Sequence, residues 1–197
     1  MQSLVTASHF YATVFFIVFL VWMLPEWIGT YLQRSEHGAR RRDRGSHAVI
    51  VFGLGIAGIG AAWCVANVPA ATMARAQPVV FWIGIAAVLG GVAFRWYAIR
   101  VLGRFFTRDV ATRAGQTVVE RGPYRLLRHP SYSGALLSIA GFGLALTNWL
   151  ALAVLMAGAF LAYTYRVHVE ERALCDALGE PYRDYMKRTR RFIPYVW

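Results

Sequence analysis

Cysteine is nearly absent from this chain: only Cys64, in an apolar run, and Cys175, in a charged segment, occur. Two such residues supply neither a disulfide framework nor the four ligands of a structural metal site, and they leave the redox compartment undetermined. Histidine offers no ligand set either, because His9, His37 and His47 have no companions at metal-binding spacing and read as ordinary interface or loop residues. Charge is scarce as well. Of the 197 residues 16% are charged and 57% hydrophobic, with a mean hydropathy of +0.42, a balance outside the soluble globular class. The net charge of +11 invites nucleic acid, but a basic nucleic-acid domain does not carry apolar stretches long enough to cross a bilayer, so that partner is not expected. No Lys or Arg lies between Met1 and Ser8, so the basic start of a cleavable signal peptide is missing and the first apolar run reads as a retained membrane helix. Internal repeats, low-complexity segments and interdomain linkers are absent too.

What is present is a set of apolar blocks: Phe10 to Leu32, interrupted at Pro25-Glu26, then Ala48 to Val68, Val79 to Val101, and Ala135 to Tyr165. A spanning helix needs about 20 residues, so each of the first three predicts one crossing. The fourth is long for one crossing and short for two, and Thr147-Asn148 near its middle supplies turn chemistry. Charge placement decides. Arg34, Arg40, Arg41, Arg42 and Arg44 crowd loop one, whereas loop two holds only Arg75; seven arginines lie between Arg100 and Tyr132, and seven basic residues from Arg166 onward. Basic residues in short loops collect on the cytoplasmic side. Loops one and three and the tail therefore share one face, and the fourth block must be a helical hairpin turning at Thr147-Asn148. The expected fold is all-α and polytopic, with five transmembrane helices, the N-terminus outside, and the C-terminus cytoplasmic. The tail is expected to be amphipathic and helical from His168 to about Arg188, interrupted at Gly179-Glu180-Pro181. The chain reads as one membrane domain, a three-helix part over 1–106 and a polar, chemistry-bearing part over 107–197.

Some features mimic chemistry. Gly53-Leu54-Gly55-Ile56-Ala57-Gly58 matches the GxGxxG dinucleotide fingerprint, but no strand precedes it, and small residues at this spacing inside an apolar block serve helix packing. Glu26 is read as an interfacial carboxylate beside a proline kink, and Arg95 as a snorkelling side chain; a role at a polar site is the alternative for each. Trp22, Trp27, Trp149 and Trp197 read as interfacial anchors.

The polar stretch from Thr107 to Gly134 is different in kind. Arg128-His129-Pro130-Ser131-Tyr132 puts a cation, an imidazole and a phenol around one proline turn, at a helix start whose amides would receive a carboxylate or phosphate. A second cluster, Arg166 to Arg172, stands at the end of the last apolar run, with Arg166 and Glu170 four apart on one helical face.

In this order the clusters resemble the isoprenylcysteine carboxyl methyltransferase family and the related phospholipid methyltransferases. The resemblance rests on Gly122-Pro123-Tyr124, Arg128 to Gly134, Arg166 with Glu170-Glu171, Gly179 with Tyr182 and Tyr185, and Arg191 and Pro194. It spans about Thr107 to Pro194. The family implies an integral membrane enzyme that uses S-adenosylmethionine and methylates a lipophilic or lipid-linked acceptor, here expected to be a carboxylate. By position, cofactor contacts are implied at Asp109, Val110, Gln116, Thr117, Val118, Val119, Tyr124, Arg128, His129, Pro130, Ser131, Tyr132 and Glu170. Arg166 is the implied substrate-facing group. Glu171, or His168, is a candidate base if the acceptor is an amine. The alternatives are a phospholipid N-methyltransferase, an NADPH-dependent membrane reductase of the sterol reductase type, and a non-catalytic lipid-binding scaffold; membrane lipids are expected partners throughout.

Overall fold

The computed structural model describes residues 2–32, 40–41, 45–106, 111–112 and 115–194. Asp109 and Val110, Trp197, His37 and most of loop one lie outside these residues, and the Glu26 and Trp27 side chains are likewise not described.

Helix dominates. A single turn, α1 (Leu4–Ala7), leads into α2 (His9–Leu32), followed by α3 (Ser46–Asn67), α4 (Gln77–Leu102), α5 (Pro130–Ala145), α6 (Trp149–Leu178) and α7 (Glu180–Arg188). Two-residue strands β1 (Arg40–Arg41) and β2 (Ala111–Thr112) pair antiparallel and tie loop one to the stretch after α4. The interruption of the apolar run at Pro25-Glu26 does not interrupt the helix, for α2 runs on through it as the single helix expected of the first block. A proline in lipid loses one backbone bond but leaves the rest of the helix as the only conformation that satisfies its amides.

Three of the described helices are long and apolar enough to cross a membrane: Ser46–Asn67, Gln77–Phe105 and Trp149–Leu178. Their outer faces carry large apolar side chains such as Ile59, 73% exposed, which in water would be an aggregation surface and in a bilayer is the lipid face. The protein is therefore an integral membrane protein. α5 has 16 residues, a rise of about 24 Å, and lies beside α4 and α6.

Turn chemistry ends the elements where the sequence places it. Thr147 adopts φ 49°, and the Asn148 side chain caps α6 by accepting the Ala151 N–H at 3.0 Å, so the chain reverses there and α5 and α6 form a hairpin. The reversal is fully buried, because Thr147 Oγ1 accepts from Leu4 N (3.3 Å) and its carbonyl from Met73 N (2.9 Å). Gly179, at φ 66°, ends α6 and lets Pro181 open α7 at an angle.

The closest helix pair is α4 with α5. A Cβ added at Gly134 would lie 2.7 Å from the Gly91 carbonyl oxygen and 2.8 Å from the Arg95 amide, and one at Gly141 would lie 2.6 Å from the Gly84 carbonyl oxygen. Backbone therefore meets backbone along this crossing. Gly134→Val is expected to destabilise the protein by about 3 kcal/mol or more, since the obstructing atoms are main chain and cannot rotate aside; thermal unfolding in detergent measures this. The GxGxxG glycines split. A Cβ at Gly53 would touch Ala162 on α6 at 3.5 Å, whereas Gly55 and Gly58 face open space, so only the first packs a helix. Trp22 is no interfacial anchor, because its ring stands edge-on to Phe142 at 5.4 Å inside the bundle.

Candidate functional site

The segment from Gly122 to His129 is a short 3-10 turn followed by an extended stretch, and the last described residues return beside it. Arg128 N donates to Arg190 O (2.7 Å), His129 N to Arg191 O (3.2 Å), and Arg190 N to Leu126 O (3.0 Å), a parallel pairing between residues some sixty apart. Tyr185 Oη on α7 donates to the carbonyls of Tyr124 (2.7 Å) and Leu127 (3.2 Å), and Ser133 Oγ donates to Phe192 O (2.7 Å). This corrects one expectation. The amides of Arg128 and His129, just ahead of α5, are not open to an anion, because the returning tail takes both, and those of Tyr132 and Ser133 in its first turn bond to the His129 carbonyl.

The two charged clusters meet. Arg128 Nε donates to Glu171 Oε1 at 2.8 Å while its Nη1 donates to the carbonyls of Met186 (2.9 Å) and Thr189, so one guanidinium joins α6, α7 and the tail. Arg191 Nη2 takes the other Glu171 oxygen at 2.8 Å. Both oxygens of this buried carboxylate are thus held by arginines, and Glu171 does not line the cleft described below. The geometry is that of a brace. A general base needs an oxygen free to take a proton, which this arrangement does not offer. His168 is displaced from the site altogether: its Nδ1 donates to the Thr164 carbonyl at 2.7 Å, and its ring lies in a shallow outer groove with Phe160, Tyr165 and Arg172, because two residues along a helix from Glu170 is nearly the opposite face.

Beside this brace lies a cleft. One wall is Gln116, Thr117, Val118 and Val119; the next is Tyr124, Arg128, His129, Ser131 and Tyr132; the floor is Glu170 with Ala173, Leu174 and Leu178 of α6; Tyr182 and Tyr185 of α7 and Leu102, Phe105 and Phe106 at the end of α4 close it. Burial raises the phenols of Tyr124, Tyr182 and Tyr185 above their ordinary range, and the Glu170 charge raises the first two further, so all three are neutral rings at physiological pH. The His129 ring stacks on Tyr132 at 5.6 Å; its Nδ1 stands 3.9 Å from Glu170 Oε2 and its Nε2 3.5 Å from Glu171 Oε1. Neither distance is a hydrogen bond, and the buried Nε2 has no such partner among the described residues.

Tyr132 forms a partition. Its hydroxyl donates to Glu170 Oε2 at 2.8 Å on the cleft side and accepts from Arg166 Nε at 3.2 Å on the other. Arg166, 3% exposed, lies behind this phenol and donates from Nη1 to Ser46 Oγ at 2.7 Å, at the start of α3. Arg166 and Glu170 do share a helical face, joined through Tyr132.

Of the residues singled out from sequence, Gln116 to Val119, Tyr124, Arg128, His129, Ser131, Tyr132 and Glu170 surround one cleft. Pro130 is fully buried at the first turn of α5 and does not line it. Arg95, expected to snorkel, instead donates from Nη1 to Ser131 O at 3.1 Å, steadying the start of α5. Sequence reasoning missed Phe105 and Phe106 just after α4, and Ala173, Leu174 and Leu178, although the spacing of the last three after Glu170 marks one face of α6. It also missed Ser46, 120 residues from its partner.

A model of the isoprenylcysteine carboxyl methyltransferase (ICMT) family matches residues 82–176. Among curated proteins, the chain is 36% identical over 120 residues to the cobalt-zinc-cadmium resistance protein CzcN of Cupriavidus metallidurans, covering 60% of this chain and 50% of that one. It is 30% identical over 121 residues to protein-S-isoprenylcysteine O-methyltransferase B of Arabidopsis thaliana, covering 59% and 61%. A probable protein-S-isoprenylcysteine O-methyltransferase of Oryza sativa subsp. indica is 28% identical over 119 residues, with 59% and 62% covered. The matched regions thus span between half and just under two thirds of those relatives. Among solved structures, the eukaryotic intramembrane Ras methyltransferase ICMT superposes with a TM-score of 0.59 at 20% identity, over 95% of this chain and 63% of that one, a likeness of fold.

Proposed function

We propose that this protein, whose residues 82–176 match the isoprenylcysteine carboxyl methyltransferase family model, is an S-adenosylmethionine-dependent methyltransferase of the membrane, acting on a lipophilic or lipid-linked carboxylate. The observation that carries the reading is the convergence of His129, just ahead of α5, and Glu170, on α6, on one cleft whose other walls include Gln116 to Val119 and neutral tyrosines.

The chemistry of the cleft fits that cofactor. Glu170 is an acceptor for ribose hydroxyls or an ammonium, the unbonded Nε2 of His129 is a buried polar atom awaiting a partner, and Tyr124, Tyr182 and Val118 give an adenine its flat apolar wall. The free volume is about 90 Å³, below the roughly 300 to 1,000 Å³ of ligand pockets, so a nucleotide needs more room than the described residues leave. When bound, the cofactor supplies a methyl group on a sulfonium, and displacement there needs alignment more than acid-base help. Tyr132 and Glu170 hold the cofactor side of the partition. Arg166 holds the acceptor side, where a guanidinium orients a carboxylate by charge-assisted hydrogen bonds. Tyr132 packs in an apolar cluster with Tyr163, Val167, Ile50 and Leu54, and such surroundings would keep water from that step. Glu171 acts as a brace.

The proposed topology has five crossings, with α2 and α5 added to the three long spans, the N-terminus outside, and the cleft and α7 at the cytoplasmic face. The arginine distribution supports it. Residues 1–106 form its scaffold and 107–197 the catalytic part. A basic inner face also suits anionic lipid headgroups.

The test is stabilisation by ligand. S-adenosylhomocysteine at 100 times its Kd is expected to add about 2.7 kcal/mol, a rise in Tm of several degrees, whereas NADPH is expected to add nothing. A shift with NADPH alone would identify a reductase. No shift with either methyl-cycle compound would remove the proposal.

A further inference from the structure

We propose that Ser46 is a positioning residue for methyl transfer, holding the Arg166 guanidinium in the plane that faces the acceptor; this rests on the methyltransferase reading of the site. Ser46 is fully buried, follows Gly45 in its left-handed conformation, and opens α3. Its Oγ accepts from Arg166 Nη1 at 2.7 Å, within the range of a strong charge-assisted bond. A guanidinium is a rigid planar fork, so fixing Nη1 on one side also sets where Nε points. Here Nε points at the Tyr132 hydroxyl, 3.2 Å away. That hydroxyl spends its proton on Glu170 at 2.8 Å, leaving only lone pairs to meet Arg166, so each bond in the series Ser46, Arg166, Tyr132, Glu170 has one defined direction.

The order of this series predicts a separable effect. Without the Ser46 hydroxyl, Nη1 loses the 2.7 Å bond that ties the fork to α3, so its orientation is less tightly fixed, while Tyr132 remains held by Glu170 and the cofactor wall stays in place. Misplacement by about 1 Å at a reacting centre costs on the order of 100-fold in rate.

Ser46→Ala is therefore expected to lower turnover by about 10- to 100-fold, with the Kd for S-adenosylhomocysteine unchanged within about twofold, and Ser46→Thr, which keeps the hydroxyl, to recover most of the rate. The Arg166 side-chain N–H resonance, assigned by its loss in Arg166→Lys, is expected to shift and to exchange faster with water in Ser46→Ala, in the protein without cofactor. Unchanged turnover in Ser46→Ala overturns the proposal. So does a parallel loss of cofactor affinity and thermal stability, which marks a merely structural serine. If the unaltered protein binds no S-adenosylhomocysteine, the methyltransferase reading itself has failed, and an unmoved Arg166 resonance in Ser46→Ala separately rejects the coupling.

Discussion

Arg166→Ala is expected to lower methyl transfer by about two to three orders of magnitude, the range for removing one preorganised charge stabiliser, while cofactor affinity stays nearly constant. The separation follows from the partition at Tyr132. Glu170 and the tyrosine walls lie on the cleft side and keep their own contacts when Arg166 is gone, because Tyr132 Oη still donates to Glu170. What is lost is the cation behind the phenol. The Ser46 hydroxyl and one Tyr132 lone pair lose a donor, so a stability loss of about 1–3 kcal/mol accompanies the change. Activity is therefore compared on protein shown to be folded by its ligand-induced thermal shift. Arg166→Lys keeps the charge but not the fork; it cannot reach Ser46 and Tyr132 in one plane, and an intermediate rate is expected. Equal losses of cofactor affinity and turnover would place Arg166 on the cofactor side and contradict its assignment.

Local features of the chain were legible because local physics produces them. The apolar blocks give the helical spans, and Thr147-Asn148 reverses the chain because a threonine in the left-handed region and an asparagine cap make a turn at those two residues. The meeting of the His129 segment with Glu170 was legible from the ordered motifs, the first at the start of α5 and the second where the apolar run of α6 passes into its charged end. The long-range pairings were not. No pattern in Arg190-Arg191 says that their carbonyls close the amides of Arg128 and His129, so two amides beside the helix start that looked open to anions are taken by the chain itself. Nor does adjacency distinguish Glu170 from Glu171. About 100° of rotation about α6 sends the first to the cleft and the second into the arginines of the tail. Arg95 and Ser46 were misread or missed for the same reason, since each meets a partner brought alongside only by helix packing.

Glu171→Ala carries the largest expected loss of stability, about 3–5 kcal/mol, the cost of removing a buried carboxylate that two partly buried arginines share. Arg128 and Arg191 both depend on this carboxylate, and through Arg128 so do the carbonyls of Met186 and Thr189 and the seating of the tail against Leu126 to His129. Protease sensitivity near Arg190 is therefore expected to rise together with the fall in thermal midpoint. Arg128→Met is expected to cost less when added to Glu171→Leu than alone, because in that background the ion pair that Arg128 makes with Glu171 is already gone. Glu171→Gln separates a brace from a base. A lost base would reduce turnover at unchanged stability and cofactor affinity; a lost brace loosens the His129 segment first, so the thermal midpoint and the affinity for S-adenosylhomocysteine fall before the rate measured at saturating cofactor does.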